Sequence, residues 1–406
     1  MTAPDERGFG DLRSLLGREG TAIALISFAA FLGNGILFPV LPLYLDHLGA
    51  SGATVGMALA LLGLGEGLFG FFWGALTDRR GVFIPLAVFM AGSIVSYAAL
   101  AVLPVIAAVL GLRFVLAGLG AAIWPAGRGH FLQAVPARSK GRAVAAFGIL
   151  VAGGLSVGGF TSGIIVDAFG YDRLFWILAA ATAVTAWVTL PRLWGAAVAR
   201  PAAAPGVSGI APGVQSFRTI VTGPVLTVGA IVMLVAASYG TVVSFVPLLV
   251  ARSGGSASGV GVIFGVSTAA SLLILPYAGH LADRAGRRAV MMVTLVVYAI
   301  AILSLGFARG YWPVLGATGL MFVSRWASDP AMVALLSDVV PRGAQGRAQG
   351  VHVIAFDLGL LTGPTAAGVI WDRSGAAATF GFAALLGAAA FAVAWRRVRE
   401  RVWSLG

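Results

Sequence analysis

Five ionisable residues lie inside long apolar stretches, where a charge needs either a partner or a purpose. They are Glu66, Arg113, Arg325, Asp329 and Asp357. A charge in an apolar interior costs about 3 kcal/mol or more, so such residues serve in ion pairing, in proton transfer or in binding a polar ligand. None of the five recurs in the internal repeat described below. This asymmetry favours a functional role, because duplicated residues more often serve the scaffold.

Glu66 stands between two glycines, Gly65 and Gly67, near the middle of its apolar stretch. Glycine lets a neighbouring helix approach closely, so this carboxyl group is expected to be buried. A buried carboxyl can carry a proton through a transport cycle or bind a polar substrate. A structural hydrogen bond is the alternative interpretation.

Arg325 and Asp329 are four residues apart, so they share one face of a helix. By helical rise, Asp329 and Asp357 both lie roughly 14 Å from the same end of their helices. An Arg–Asp–Asp cluster is therefore geometrically possible. One arginine would neutralise one carboxylate and leave the other free for a proton or a cationic group. The alternative is a static salt bridge that fixes helix packing.

The composition excludes a water-soluble protein. Hydrophobic residues make up 59% of the chain and charged residues 10%, with a mean hydropathy of +0.95; soluble chains carry about 25% charge. The net charge of +12 does not indicate nucleic-acid binding, because the basic residues are scattered over short connections. No cysteine is present, which excludes thiolate chemistry, and no metal site or cofactor is predicted.

The apolar stretches are about 20 residues long, which suffices for a helix to cross a lipid bilayer. We predict an all-α membrane protein with twelve transmembrane helices. The predicted spans are 21–45, 53–77, 82–104, 106–130, 143–166, 173–195, 219–250, 258–282, 289–308, 311–338, 348–371 and 376–395.

Basic residues predict the orientation, because cytoplasmic connections retain an excess of Arg and Lys. Of the 27 basic residues, 20 fall on the side that carries both termini, 4 on the other side and 3 within spans. Both termini are therefore expected in the cytoplasm, in a multi-pass protein of the inner membrane. The predicted divisions are an N-terminal tail (1–20), a six-helix bundle (21–195), a linker (196–218), a second bundle (219–395) and a C-terminal tail (396–406).

The two halves of the chain repeat at a constant offset of 205 residues. The segment Gly74 to Gly81 (GALTDRRG) returns as Gly279 to Gly286 (GHLADRAG). Glycines and prolines match at the same offset, and so do Asp167 and Asp372. A duplicated six-helix unit explains this pattern, and two parallel six-helix repeats can open a central cavity to either side by rocking.

At these residues the chain resembles the major facilitator superfamily, whose loop after the second helix reads G-x-L-x-D-R-x-G followed by two basic residues. The second copy fits fully, whereas the first has Val82 and Phe83 in place of the basic pair. The resemblance implies that the aspartates and arginines of this loop form a contact that locks the outward-open state. The implied gating residues are Gly74, Asp78, Arg79, Gly81, Gly279, Asp283, Arg284, Gly286, Arg287 and Arg288.

Two further segments bear on the branch of the family. Arg113 lies five residues before Gly118, a loose match to the R-x-x-x-G motif linked to proton coupling; an arginine that snorkels to the interface is the alternative. The fifth span lacks the proline of the antiporter motif G-P-x-x-G-G, which appears instead at Gly363 and Pro364 in the eleventh. The opening segment LFPVLPLY (37–44) looks most like the 12-helix drug:proton antiporters.

By the same resemblance, spans 1, 4, 7 and 10 surround the substrate cavity. This favours Phe38, Trp124, Tyr239 and Trp326 as lining residues, although packing or lipid contact would explain any one of them. Asn34 is expected either to hydrogen-bond the substrate or to cap a bend between Gly33 and Gly35.

The favoured function is proton-coupled efflux of small hydrophobic or amphipathic compounds by alternating access. Proton-coupled uptake of a nutrient or organic anion is the alternative, since arginines suit anions. An enzyme is not expected, because no nucleophile with a base is found, and no phosphate-binding G-x-x-x-x-G-K segment predicts ATP drive. The expected partners are a small-molecule substrate, protons as the energy source and the lipid bilayer, with a functional monomer and no nucleic acid.

Overall fold

The structure is a computed structural model that describes residues 10–133, 140–198, 222–340 and 345–398. All regular secondary structure in these ranges is helical. Two long helical segments, Lys140–Val198 and Gln345–Arg397, each break at one glycine with a left-handed backbone, Gly170 (φ 81°) and Gly375 (φ 76°). The helices are α1 (Gly10–His47), α2 (Gly52–Arg80), α3 (Phe83–Val102), α4 (Ile106–Gly120), α5 (140–169), α6 (171–198), α7 (Gly223–Arg252), α8 (Ala257–Ala285), α9 (Arg287–Leu305), α10 (Tyr311–Asp338), α11 (345–374) and α12 (376–397).

Ten helical segments in the described ranges are long and apolar enough to cross a membrane. One of them, Gln349–Arg397, has 49 residues and contains the break at Gly375, so it comprises parts of α11 and α12. Helix α10 has 28 residues but is not among the ten. The all-helical membrane architecture is thus confirmed, and the number of twelve spans stays a prediction.

Two parts of the chain differ from the predicted boundaries. Helix α1 begins at Gly10, within the predicted tail, and is interrupted at Gly17 (φ 62°). Helix α4 continues beyond Gly120 through a 3₁₀ turn, a π-helical turn at Trp124–Gly129 and a last α-helical turn at His130–Gln133. Pro125 lies within the π turn, where its missing N–H removes one α-helical hydrogen bond. From residue 199 on, the predicted linker lies outside the described residues.

The helix ends follow from local sequence. Ser51 and Ser256 are the N-caps of α2 and α8, and each hydroxyl accepts a hydrogen bond from the backbone N–H three residues on. Gly81 (φ 73°) and Gly286 (φ 91°) end the same two helices with a positive φ that other residues rarely adopt. All four residues obey the offset of 205, so the repeat extends to the caps.

The helices pack as two bundles, α1–α6 and α7–α12, each fixed by buried tyrosines. The Tyr44 hydroxyl of α1 donates to the Leu100 carbonyl of α3 at 3.4 Å, and the Tyr298 hydroxyl of α9 donates to the Val235 carbonyl of α7 at 3.1 Å. Between the bundles, the most extensive contacts join α2 to α11 and α5 to α8. We call the side where α1 begins and α12 ends the terminal side, and the opposite side the distal side.

Candidate functional site

Arg113 of α4 is buried inside the first bundle, with 3% of its surface exposed. Its Nη1 donates to the Asn34 Oδ1 of α1 at 3.5 Å, and its guanidinium lies 6.0 Å from the ring centre of Phe38. The buried Nε has no hydrogen-bond partner among the described residues. Arg113 is therefore not an interfacial, snorkelling residue, and Asn34 orients it.

Glu66 of α2 lies within electrostatic range of Arg113 and also of Asp357 on α11. Asp357 is 9% exposed, and its carboxylate lies against Gly67, which a side chain at that position would contact at 3.3 Å. The two carboxyl groups come from different bundles and lie near each other where α2 and α11 pack together. Gly67 supplies the space for this approach, as the flanking glycines predicted.

Arg325 and Asp329 form the predicted ion pair on α10, with an Nη1–Oδ1 distance of 2.8 Å. The guanidinium also lies 5.6 Å from the ring centre of Phe356 on α11. Asp357, the possible third member of this cluster, lies against Gly67 of α2, and no ion pair joins it to Arg325 among the described side chains; the three-residue cluster stays a prediction. His352 lies within electrostatic range of Asp329. Helical rise predicted that Asp329 and Asp357 lie at the same depth in the membrane. It could not predict which side of its helix each aspartate occupies.

An aromatic cavity of about 10 Å³ lies between the bundles and includes three of the predicted lining residues, Phe38, Tyr239 and Trp326. Tyr239 packs edge-on against Phe322 at 5.6 Å between ring centres. Trp124 does not line this cavity; its ring is 43% exposed and packs against Phe31. The residues around the aromatic cavity are Gly35, Phe38, Leu155, Tyr239, Phe264, Thr268, Phe322 and Trp326.

A second small cavity, of about 20 Å³, lies beyond Phe38 and is lined by Arg113, Val243 and Ser244 among others. Phe38 borders both cavities, so its ring separates the aromatic cavity from the space beside Arg113. Phe264, Phe322 and Thr268 were not predicted, because one aromatic or hydroxyl residue in an apolar span gives no signal about which way it faces.

The distal half of the bundle interface is closed by glycines. On α2, a side chain at Gly56 would overlap the Pro364 carbonyl of α11. On α5, a side chain at Gly159 would lie 2.9 Å from the Gly265 nitrogen of α8. The Gly-Pro segment at Gly363 and Pro364 therefore works as a close packing seam, and Gly159 and Gly261 match Pro364 and Gly56 at the offset of 205.

The same helices separate toward the terminal side. Gly74 lies about five helical turns beyond Gly56 on the same face of α2, yet among the described residues no atom of a neighbouring helix lies within 4 Å of the side-chain position there. Gly148 of α5 is equally open, whereas Gly159 on nearly the same face is in contact. The structure is thus closed on the distal side and divergent on the terminal side.

The predicted gating residues lie at the terminal ends of α2 and α8. Asp78, Arg79 and Arg284 are exposed, and among the side chains that the structure describes neither Asp78 nor Arg79 forms an ion pair. The guanidinium of Arg288 lies 5.5 Å from the ring centre of Trp395. The side chain of Asp283 lies outside the described part.

Comparison with known proteins connects this geometry to a family. The model of the Major Facilitator Superfamily matches residues 23–254 and 228–403. The multidrug resistance protein MdtG of Citrobacter koseri is 25% identical over 384 residues, covering 90% of this chain and 91% of the relative. MdtG of Proteus mirabilis is 25% identical and covers 89% and 91%.

Solved structures share the fold. A bacterial homologue of the human lysosomal transporter Spinster superposes with a TM-score of 0.79 at 14% identity and covers 98% of this chain and 100% of its own. The nucleoside transporter NupG superposes with a TM-score of 0.77 at 13% identity and covers 93% and 97%. With a family match over nearly its whole length and two six-helix bundles around a central cavity, the chain belongs to the major facilitator superfamily of membrane transporters.

Proposed function

We propose that the protein exports small hydrophobic or amphipathic compounds in exchange for protons. The resemblance to multidrug resistance proteins supports export. The aromatic cavity supports an apolar substrate, because Tyr239, Phe264, Phe322 and Trp326 offer ring faces and only Thr268 and the tyrosine offer polar atoms. Arg325 lies within electrostatic range of Tyr239, and its ion pair with Asp329 is neutral as a unit.

The observation that carries proton coupling is the electrostatic proximity of two carboxyl groups across the bundle interface. Glu66 lies within electrostatic range of both Asp357 and Arg113, and the Asp357 carboxylate lies against Gly67, the residue after Glu66. Two carboxylates with a single buried cation near one of them leave one negative charge without compensation, and a proton removes that charge at the lowest cost. Because the carboxyls belong to different bundles, their separation changes when the bundles rock, which ties proton uptake to conformation.

The proposal is tested in proteoliposomes with an imposed pH gradient and an internal pH indicator. Wild-type protein is expected to dissipate the gradient when lipophilic compounds are added, and Glu66→Gln and Asp357→Asn are expected to abolish this proton flux. Both variants should still exchange labelled for unlabelled substrate, since exchange needs no net proton movement. Asp172→Asn, at an exposed aspartate on the distal side, is the matched control. Full proton flux in both variants would exclude the pair as the coupling site.

The orientation and the membrane are part of the proposal. The excess of basic residues on the terminal side supports a cytoplasmic location for that side, in the inner membrane. The chain has no cysteine, so a cysteine introduced at Arg80 or at Arg173 is the sole target of an impermeant maleimide. In intact cells we expect labelling at position 173 only; labelling at position 80 only would reverse the orientation.

Uptake of an organic anion is the second candidate, and one observation favours it. The Nε of Arg113 is buried beside the second cavity and donates to nothing among the described residues, so it is free to bind an anionic group. In the same proteoliposomes, small carboxylates that drive protons inward together with the substrate, with no response to lipophilic compounds, would replace export by symport.

A further inference from the structure

Two aspartates reach from one bundle to the other on the distal side. The Asp372 carboxylate at the end of α11 accepts hydrogen bonds from the backbone N–H groups of Gly52 (2.7 Å) and Ala53 (3.0 Å), the first turn of α2. The Asp167 carboxylate at the end of α5 accepts from the first turn of α8 in the same way.

Asp167 Oδ1 accepts from Ala257 N at 3.2 Å, and Oδ2 accepts from Ser258 N at 2.7 Å. The acceptor Asp167 corresponds to Asp372 at the offset of 205. The donors Ala257 and Ser258 correspond to Gly52 and Ala53 at the same offset. The repeat thus preserves an entire contact between the bundles, with two hydrogen bonds in each copy. We call these two contacts together the distal clasp.

The N-terminal turn of each clasped helix is completed by two different acceptors. Ser51 and Ser256 satisfy the third N–H group within their own bundle, at 3.3 Å and 3.1 Å. The first and second N–H groups are left for the aspartate of the opposite bundle. A carboxylate at a helix N-terminus gains from charge-assisted hydrogen bonds and from the helix dipole, and both gains vanish when the bundles separate.

We propose that Asp167 and Asp372 are positioning residues for transport, which hold the distal side closed and set the balance between the distal-closed and distal-open states. The glycine seam provides the close fit, but its contacts are short-ranged and apolar. The clasp adds four charge-assisted hydrogen bonds at the outermost distal end of the seam, and all four must break before the distal side can open. The proposal concerns the rocking of the bundles and holds whichever way substrate moves.

The test measures distances between spin labels by double electron–electron resonance. Because the chain has no cysteine, labels attach only at introduced positions. One pair at the exposed residues Arg173 and Arg309 reports separation of the bundles on the distal side. A second pair at the exposed residues Arg192 and Arg396 reports the terminal side.

Asp167→Asn combined with Asp372→Asn is expected to raise the distal-open population by about tenfold or more, since each substitution removes a charged acceptor of two hydrogen bonds. The distal distance should lengthen while the terminal distance shortens, as in rocking. Ser51→Ala combined with Ser256→Ala is the matched control, because it removes a cap from the same two turns without touching the other bundle.

Unchanged distances in the aspartate variant would overturn the proposal, and so would an equal shift in the serine variant, which would reduce the aspartates to ordinary helix caps. Lengthening of both distances would indicate loosened packing and would also overturn it. The single variants, expected to shift the population by about threefold each, decide the matter if the double variant does not fold.

Discussion

The ion pair between Arg325 and Asp329 joins two side chains on one face of α10, four residues apart. The pair has an N–O distance of 2.8 Å, and its partners differ in burial: the arginine side chain is 11% exposed and the aspartate side chain 34%. Asp329→Asn leaves the more deeply buried charge without its partner, whereas Arg325→Gln leaves a carboxylate that water can reach in part.

Breaking a fully buried pair costs about 3–5 kcal/mol, because one charge stays uncompensated. The partial exposure of Asp329 reduces this cost. We therefore expect Asp329→Asn to lower the free energy of unfolding by about 3 kcal/mol and Arg325→Gln by about 2 kcal/mol. The double variant should lose less than either single variant, since replacing both charges together leaves neither group unpaired.

The measurement is a double-mutant cycle of unfolding free energies. Each free energy is obtained in detergent micelles by titration with denaturant, under conditions in which unfolding is reversible. A coupling energy of at least about 3 kcal/mol is expected between the two positions. Single variants within about 0.5 kcal/mol of the wild type, or a double variant that shows the sum of the two losses, would refute the reasoning. Such a result would mean that water screens the pair from both sides.

Three further results are expected. Gly56→Val places a branched side chain against the Pro364 carbonyl and should shift the spin-label distances toward the distal-open state. Gly74→Val is the control, because that position lies on the same helix face but has no described atom within 4 Å, and it should leave the distances unchanged. Equal effects of the two variants would contradict the closed seam. Trp326→Ala should raise the KM for transport about tenfold with little change in kcat. Trp124→Ala, at a residue outside the cavity, should leave both constants unchanged. A larger effect at position 124 than at position 326 would exclude the aromatic cavity as the binding site. The apolar segment of the fourth helix that is long enough to cross the membrane ends at Gly129, one residue short of the predicted span. Burial lowers the pKa of the next residue, His130, below its ordinary 6.5 despite the opposing effect of Glu19. The folded protein binds this proton less readily than the unfolded chain, so stability should fall as the pH drops below about 6.5, and His130→Gln should lessen that loss in melting curves at pH 7.5 and 5.5.

Length and hydropathy predicted the helices, because a lipid-facing helix must be apolar for about 20 residues whatever its neighbours are. The constant offset predicted the paired glycines and the paired aspartates. Neither pattern could predict the break in α1 at Gly17 or the π turn of α4, since both depend on local backbone geometry. Pro125 inside an apolar span was the one available signal for the latter.

The site was only partly predictable for a related reason. Four-residue spacing placed Arg325 and Asp329 together, because both lie on one helix whose geometry is known. The partners of Asp357 depend on which face of α11 meets α2, and that follows from the glycine seam rather than from depth in the membrane. His352 beside Asp329 was missed for the same reason, as its separation from α10 along the chain carries no information about facing surfaces.

Because the glycine seam holds only one end of α2 tightly, the rest of this helix can move by tilting about that end. About 27 Å of rigid helix separates Gly56, where the contact is tight, from Gly74, where it is open. A tilt of about 10° around the tight end moves the far end by roughly 5 Å, and proportionally less at intermediate depth. The depth at which a molecule rests therefore decides how far the bundles must swing to release it: a compound held beside Phe38 needs a wider swing than one of equal width that rests near the open end.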